Sequence, residues 1–478
     1  MESIDRSKLT VLHALIFATA FAAPALQAQI TMHQLSLKDA QSLALQNAFA
    51  LQYAQLDKEK SERDVKEVLA SGLPQVNLIA DYSQYIDIPT QVAAGDVFGF
   101  PDYLISFFGG VSQATGVTLD APPTDPDALS EFQFGQAHTA NVGVQASQLV
   151  FSGSYFVGLK ASQLFLEAQD RAIDRTAEEV LRQVAEAYYL VLGAEEASKM
   201  AKEAKELLES NREEIAQLNA AGFVDALAVD RLDLALSEIE TQIVNSGRQV
   251  KLAKGLLAYQ IGIGLHDEIV LTQSMDALLS TGEELDWLSR AFDPSAIPGI
   301  QEQQIYFELA GLDVLNQQAK GWPQIAAFYT NQANAQRDAF NFFDGDLKWY
   351  PIQLWGLNMS MPLWTSFGGK QQVEKKKIEH ERARIGLEQM TYVAEMQLVN
   401  AQANFANATE VLNNARRSEE LANRIFDQTQ VGFDAGVITS FEWNESRNAL
   451  MESKGKTLNA SMEWLNARLA LQVALSAF

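Results

Sequence analysis

The stretch "LPQVNLIADYSQYIDIP", Leu73–Pro89, follows a charged run of helical composition, "QLDKEKSERDVKEVLASG". From Val76 its even positions read Val76, Leu78, Ala80, Tyr82, Gln84, Ile86 and Ile88. Its odd positions read Gln75, Asn77, Ile79, Asp81, Ser83, Tyr85 and Asp87. A period of two with one mostly apolar face predicts a strand over about 75–88. A second alternating run, "HTANVGVQASQLVF", predicts another over about 138–150, with Ala140, Val142, Val144 and Ala146 on one face. The glycine-, proline- and aromatic-rich residues 89–137 between them read as an irregular loop.

Around these strands the pattern is helical. Leu35–Gly72 is rich in Ala, Leu, Gln, Lys and Glu, and a proline-free pattern runs from about Ser154 to Asn219. At 1.5 Å per residue the second would be about 95 Å long, far beyond a globular helix. After a break at "NAAGFVD", the steps Leu232, Leu236, Ile239 and Ile243 match the seam of packed long helices.

The second half of the chain repeats this order. "GWPQIAAFYTNQA" (321–333) answers "GLPQVNLIADYSQ" (72–84), with Pro323 standing 249 positions after Pro74. "MPLWTSFGGK" answers "SQLVFSGSYF" and "AGVITSFEWNESRNAL" answers "AGFVDALAVDRLDLAL", both at a spacing of 214. Two repeats are expected, 29–293 and 294–478, the second with strands over about 323–335 and 353–363. The strand opening at Pro323 has the least apolar contrast, and Pro74 and Pro323 each mark the passage from helix into strand.

At the N-terminus, Arg6 and Lys8 precede the apolar run "VLHALIFATAFAA", and "PALQAQ" offers a cleavage site after Ala28. Residues 1–28 thus read as an export signal. Beyond them no run reaches the 18 or so apolar residues of a spanning helix. A membrane-spanning form must therefore be a closed barrel. The chain has no cysteine and a formal charge of −25. That excludes disulfides, thiolate metal sites, a cysteine nucleophile and a lipid-anchored N-terminal cysteine. It also argues against nucleic acid as a partner and against docking on anionic lipid.

Tilted strands of 9–11 residues with one apolar face can span a bilayer. The same alternation also suits a hairpin on a soluble core. Aromatic residues near the expected strand ends (Tyr82, Tyr85, Phe328, Tyr329, Trp349, Tyr350, Trp355, Trp364) resemble an interfacial girdle. Four strands cannot enclose a lumen, so several chains would each donate four.

The signal, the duplication, the "LPQV" and "WPQI" strand starts, the "PLW…FGGK" return and the paired "AG" turns together resemble the TolC family of outer-membrane ducts. The resemblance covers essentially the whole mature chain. It implies a mixed α/β membrane protein: a homotrimer whose twelve-stranded β-barrel, four strands per protomer, continues into a long periplasmic α-helical barrel. Its partners would be outer-membrane lipid, a periplasmic adaptor and an inner-membrane pump. Its work would be passive exit of small molecules or polypeptide in a tripartite efflux or type I secretion system. Family ducts carry acidic residues after the second "AG" turn, and the matching positions are Glu442 and Glu445, three apart on one helical face. In a trimer they would form a cation-attracting gate ring; alone they are two exposed helix glutamates. Arg231 could pair with a gate glutamate, with Asp230 or with Asp233. Gly222 and Gly436 read as helix-turn tips, which would be natural adaptor contacts.

No enzymatic constellation accompanies this. His33, His138, His266 and His380 are scattered, "GIGLHD" has Asp267 where a dinucleotide motif needs glycine, and "FGGK" lacks the rest of a phosphate loop. No cofactor or metal is expected. The rival readings are a periplasmic adaptor, which should carry one helical hairpin between β-rich domains, and an exported coiled-coil adhesion or structural protein.

Overall fold

The computed structural model describes residues 32–94, 102–118, 129–133, 135–280 and 287–478. The expected signal at 1–28 and parts of the 89–137 segment lie outside the described residues. In chain order the elements are β1 (Met32–Leu35), α1 (Leu37–Asn47), α2 (Phe49–Ser71), β2 (Gln75–Gln84), β3 (Thr90–Ala94), α3 (Asp102–Thr115), β4 (Leu129–Gln133) and β5 (His138–Ser152). There follow α4 (Gly153–Ala220), α5 (Ala226–Ile261), β6 (Glu268–Leu271), α6 (Met275–Leu279) and α7 (Pro298–Ala319). The chain ends with β7 (Gln324–Arg337), β8 (Tyr350–Ser360), α8 (Gly368–Asp434) and α9 (Ser440–Ala474). Two units result. One holds residues up to Lys60 with Leu166–Phe307 and Ala383–Phe478; the other holds Ser61–Phe165 and Glu308–Arg382.

In the second unit β2, β5, β7 and β8 form one antiparallel sheet in that order. Register gathers most of the apolar positions on one face, although Asn331 and Gln353 also fall there and Phe328, Ile352 and Leu354 fall on the other. Leu78 faces Val144, Val144 faces Asn331, and Ala80 faces Val142, which faces Ala333. Val76, Leu78, Tyr82, Val142, Val144, Tyr329, Trp355, Leu357 and Met359 thereby share one face, and all are exposed in the single chain. The opposite face carries Asn77, Asp81, Gln145, Asn141, Thr330, Gln332 and Asn334. There Asn334 Nδ2 donates to Asn141 Oδ1 at 2.6 Å. The weak contrast of β7 in sequence reflects its central place, where alanines (Ala327, Ala333, Ala335) serve as its apolar positions. Gly143 lies so close to β7 that a Cβ would meet Gln332 Cβ at 2.3 Å.

Aromatic rings gather at both ends of this sheet. At one end Tyr82 stands edge-on to Phe340 (5.3 Å) and Phe342 (5.9 Å), and Phe342 meets Trp349. Tyr82 Oη also lies 2.9 Å from His138 Nδ1. At the other end Trp364 packs on Phe367, and a Cβ on Gly153 would strike the Trp322 ring. Tyr329 and Trp355, expected at strand ends, instead pair with each other in mid-strand. Pro74 and Pro323 occupy the position just before β2 and β7. Each follows a tight turn, closed by Leu73 N→Ala70 O and by Trp322 N→Ala319 O, both 3.0 Å.

The segment read as an irregular loop holds regular structure. β3 pairs with β4, and α3 stands between them in sequence. Five-residue strands set among glycines and prolines leave too short a period to read.

The first unit is helical. The expected helix over Leu35–Gly72 is broken at Ala48, whose backbone is extended. A Cβ on Gly262, the left-handed glycine ending α5, would lie 2.3 Å from Asn47 O. The break therefore marks a close packing contact, which local sequence does not encode. β1 pairs in parallel with β6 across more than 230 residues, and Tyr188 Oη donates to Leu35 O beneath them. Burial pushes that phenol up to about 12. α4 and α5 close as an antiparallel hairpin, laced by Lys254–Glu195, Lys205–Glu240 and Arg212–Asp233. Such exposed pairs fix register more than they stabilise. No described helix is long and apolar enough to cross a membrane.

Candidate functional site

The two helical hairpins turn at Gly222 and Gly436, with φ of +80° and +70°. Each turn satisfies its last carbonyls by the same pattern: Phe223 N→Leu218 O with Gly222 N→Asn219 O, and Val437 N→Gly432 O with Gly436 N→Phe433 O. A left-handed residue there favours glycine. Phe223 and Val437, just beyond the glycines, are among the most exposed apolar side chains, at 80% and 79%.

α9 starts at a reciprocal cap. Thr439 Oγ1 accepts the Glu442 amide, while Glu442 Oε2 accepts the Thr439 amide at 2.9 Å. The Thr-x-x-Glu spacing is itself the sequence signal for this cap. The backbone hydrogen bond, then the Thr439 hydroxyl, hold the Glu442 carboxyl below its usual range. Glu445 is exposed one turn further on and makes no hydrogen bond or ion pair among the described residues. The two glutamates flank Trp443, which is buried and donates from Nε1 to Gln430 Oε1 at 2.6 Å. Trp443 packs with Phe433, Leu208, Ile215 and Leu232. The sequence reading passed over this tryptophan, although a large aromatic between two polar positions of an amphipathic helix is a core signal.

Arg231 is exposed on α5. Asp233 is already paired with Arg212 at 2.9 Å, and no ion pair joins Arg231 to Asp230, Asp233, Glu442 or Glu445. It lines a cleft of about 370 Å³ between the first turns of α5 and α9. Across that cleft stands Arg447, 7% exposed, which sequence reasoning also missed. The structure thus gathers Arg231, Glu442, Glu445 and both glycine turns into one region of the helical unit. Arg231 and the glutamates do not meet in a salt bridge within one chain.

The sequence model of the outer membrane efflux protein family matches residues 297–477. No curated protein matches the chain in sequence. In fold it is similar to the CmeC outer membrane channel of Campylobacter jejuni (15% identity, TM-score 0.66, covering 92% of this chain and 85% of that one). It is similar also to the open state of the MtrE outer membrane channel of Neisseria gonorrhoeae (16%, 0.66, 92% and 88%). The outer membrane protein VceC of Vibrio cholerae gives 14%, 0.64, 92% and 95%. Residues 297–477 thus match the outer membrane efflux protein family, and over 92% of its length the chain shares its fold with solved outer membrane channels.

Proposed function

We propose that three copies of this chain assemble in an outer membrane as the exit duct of an efflux or secretion system. The observation that carries this is the sheet: four strands, an apolar face left exposed, and two edges, β2 and β8, unpaired among the described residues. An open sheet with apolar edges aggregates in water but closes in lipid. Twelve strands from three chains would put Leu78, Val144, Trp355 and Leu357 toward lipid and the Asn/Gln/Thr face toward a wet lumen. In this reading residues 1–28 are the export signal, and the repeats 29–293 and 294–478 supply two strands and one helical hairpin each.

The helices would line the periplasmic passage. Glu442 and Glu445, taken three times, would set six carboxylates near one axis and favour cations at the gate. Glu445 is the freer of the two, because Glu442 is engaged by its own cap. The exposed tips at Gly222 and Gly436 would meet a periplasmic adaptor, and an inner-membrane pump would supply the energy. Transport through the duct is passive and uses no cofactor. Outer-membrane fractionation with heated and unheated gel mobility tests this. A heat-modifiable oligomer in the outer-membrane fraction is expected, and a soluble periplasmic monomer contradicts it.

A further inference from the structure

The cleft between the first turns of α5 and α9 has the makings of a ligand site that the channel reading does not use. Arg447 lies on its wall, 93% shielded from solvent by its 7% exposure, and among the described residues its Nε has no hydrogen-bond partner. Its Nη2 donates to the neutral Asn448 side chain at 2.5 Å. A buried guanidinium without a carboxylate is costly, because desolvation is not offset. Burial accordingly lowers the affinity of Arg447 for its proton.

Arg231 lines the same cleft from α5, with Asn444 and Ser440 on the α9 side. Asp225 is the cleft's one carboxylate, and its Oδ1 is turned to the Leu227 amide as the cap of α5. Neither Glu442 nor Glu445 lines the cleft. Two guanidiniums face one carboxylate. The N-termini of two long helices, α5 and α9, add their positive ends to the same space.

We propose that this cleft binds a small dissolved oxyanion, a phosphate or carboxylate group, held between Arg231 and Arg447. A planar, forked donor on each side suits two oxygens of one anion. The bound anion neutralises the buried charge and ties the starts of α5 and α9 together within one chain. The site stands whether or not three chains form a channel.

The test is calorimetric titration of the full-length protein in detergent with inorganic phosphate and with succinate, at fixed ionic strength. Saturable binding of at least one is expected. Arg231→Gln should weaken it roughly tenfold, the scale of one charge-assisted hydrogen bond. Asp225→Asn should tighten it, and asparagine preserves the cap. Absence of saturable binding by both anions, or equal affinity in the three proteins, overturns the proposal.

Discussion

The Glu442 carboxylate accepts the backbone amide of Thr439 at 2.9 Å while the Thr439 hydroxyl accepts the amide of Glu442. The residue proposed for the gate is therefore also the clamp that starts α9 beside the Gly436 turn. Its neighbour Glu445 has no such duty, so the two carboxylates can be separated by experiment.

Glu445→Gln should reduce block of single-channel current by multivalent cations and leave the turn intact. Glu442→Ala should do both: reduce block and raise hydrogen–deuterium exchange in residues 437–445. Unchanged block in both variants would remove the pair from the gate.

The cap also sets a pH dependence. The folded Glu442 carboxyl lies below its ordinary value of 4.5. Its contribution is thus present in full above the unfolded value and is lost as pH falls through the lower folded one. Protection of the 437–445 amides, taken against their intrinsic exchange at each pH, should fall on acidification below about pH 4.5 in the native protein. Glu442→Gln should show no such step at this turn.

Trp443 is the anchor of the hairpin ends. It is 1% exposed and meets Phe426 and Phe433 at ring distances of 5.8 and 5.9 Å. Trp443→Ala should cost about 3–5 kcal/mol, the range for emptying a buried aromatic site. Trp443→Phe, which keeps one aromatic ring in the cluster while losing the bond to Gln430 and part of the indole volume, should cost less. Thermal unfolding of the detergent-solubilised protein reads both.

The sheet faces make opposite demands. Val144→Arg puts a charge on the apolar face and should cost about 2–4 kcal/mol if that position sits near the bilayer midplane. Gln145→Arg, one residue away on the polar face, should be tolerated. The yield of heat-modifiable oligomer in the outer-membrane fraction distinguishes them.

Much of this was legible before any coordinates. The alternation at Val76–Tyr82 and Ala140–Ala146 and the long proline-free helices are local signals, and local signals survive into the fold. The contacts that join distant segments were not. The Gly262 approach to Asn47 breaks a helix whose sequence shows no breaker. The β1–β6 pair is four residues long on each side and spans most of the first half of the chain. At the candidate site, the resemblance supplied Glu442 and Glu445 and the repeat supplied Arg231. Arg447 and Trp443 acquire meaning only from what faces them: a cleft with a second arginine, and a packed cluster drawn from three helices.

The central claim is that β2 of one chain pairs with β8 of the next. The chain has no cysteine, so paired substitutions report without background. Val76→Cys, Leu78→Cys or Ala80→Cys should be combined in turn with Trp355→Cys, Leu357→Cys or Met359→Cys, oxidised in intact membranes and separated on denaturing gels. One register should give a covalent trimer, with dimer as its precursor and release on reduction. Monomer in all nine combinations, alongside folded protein, would contradict the barrel.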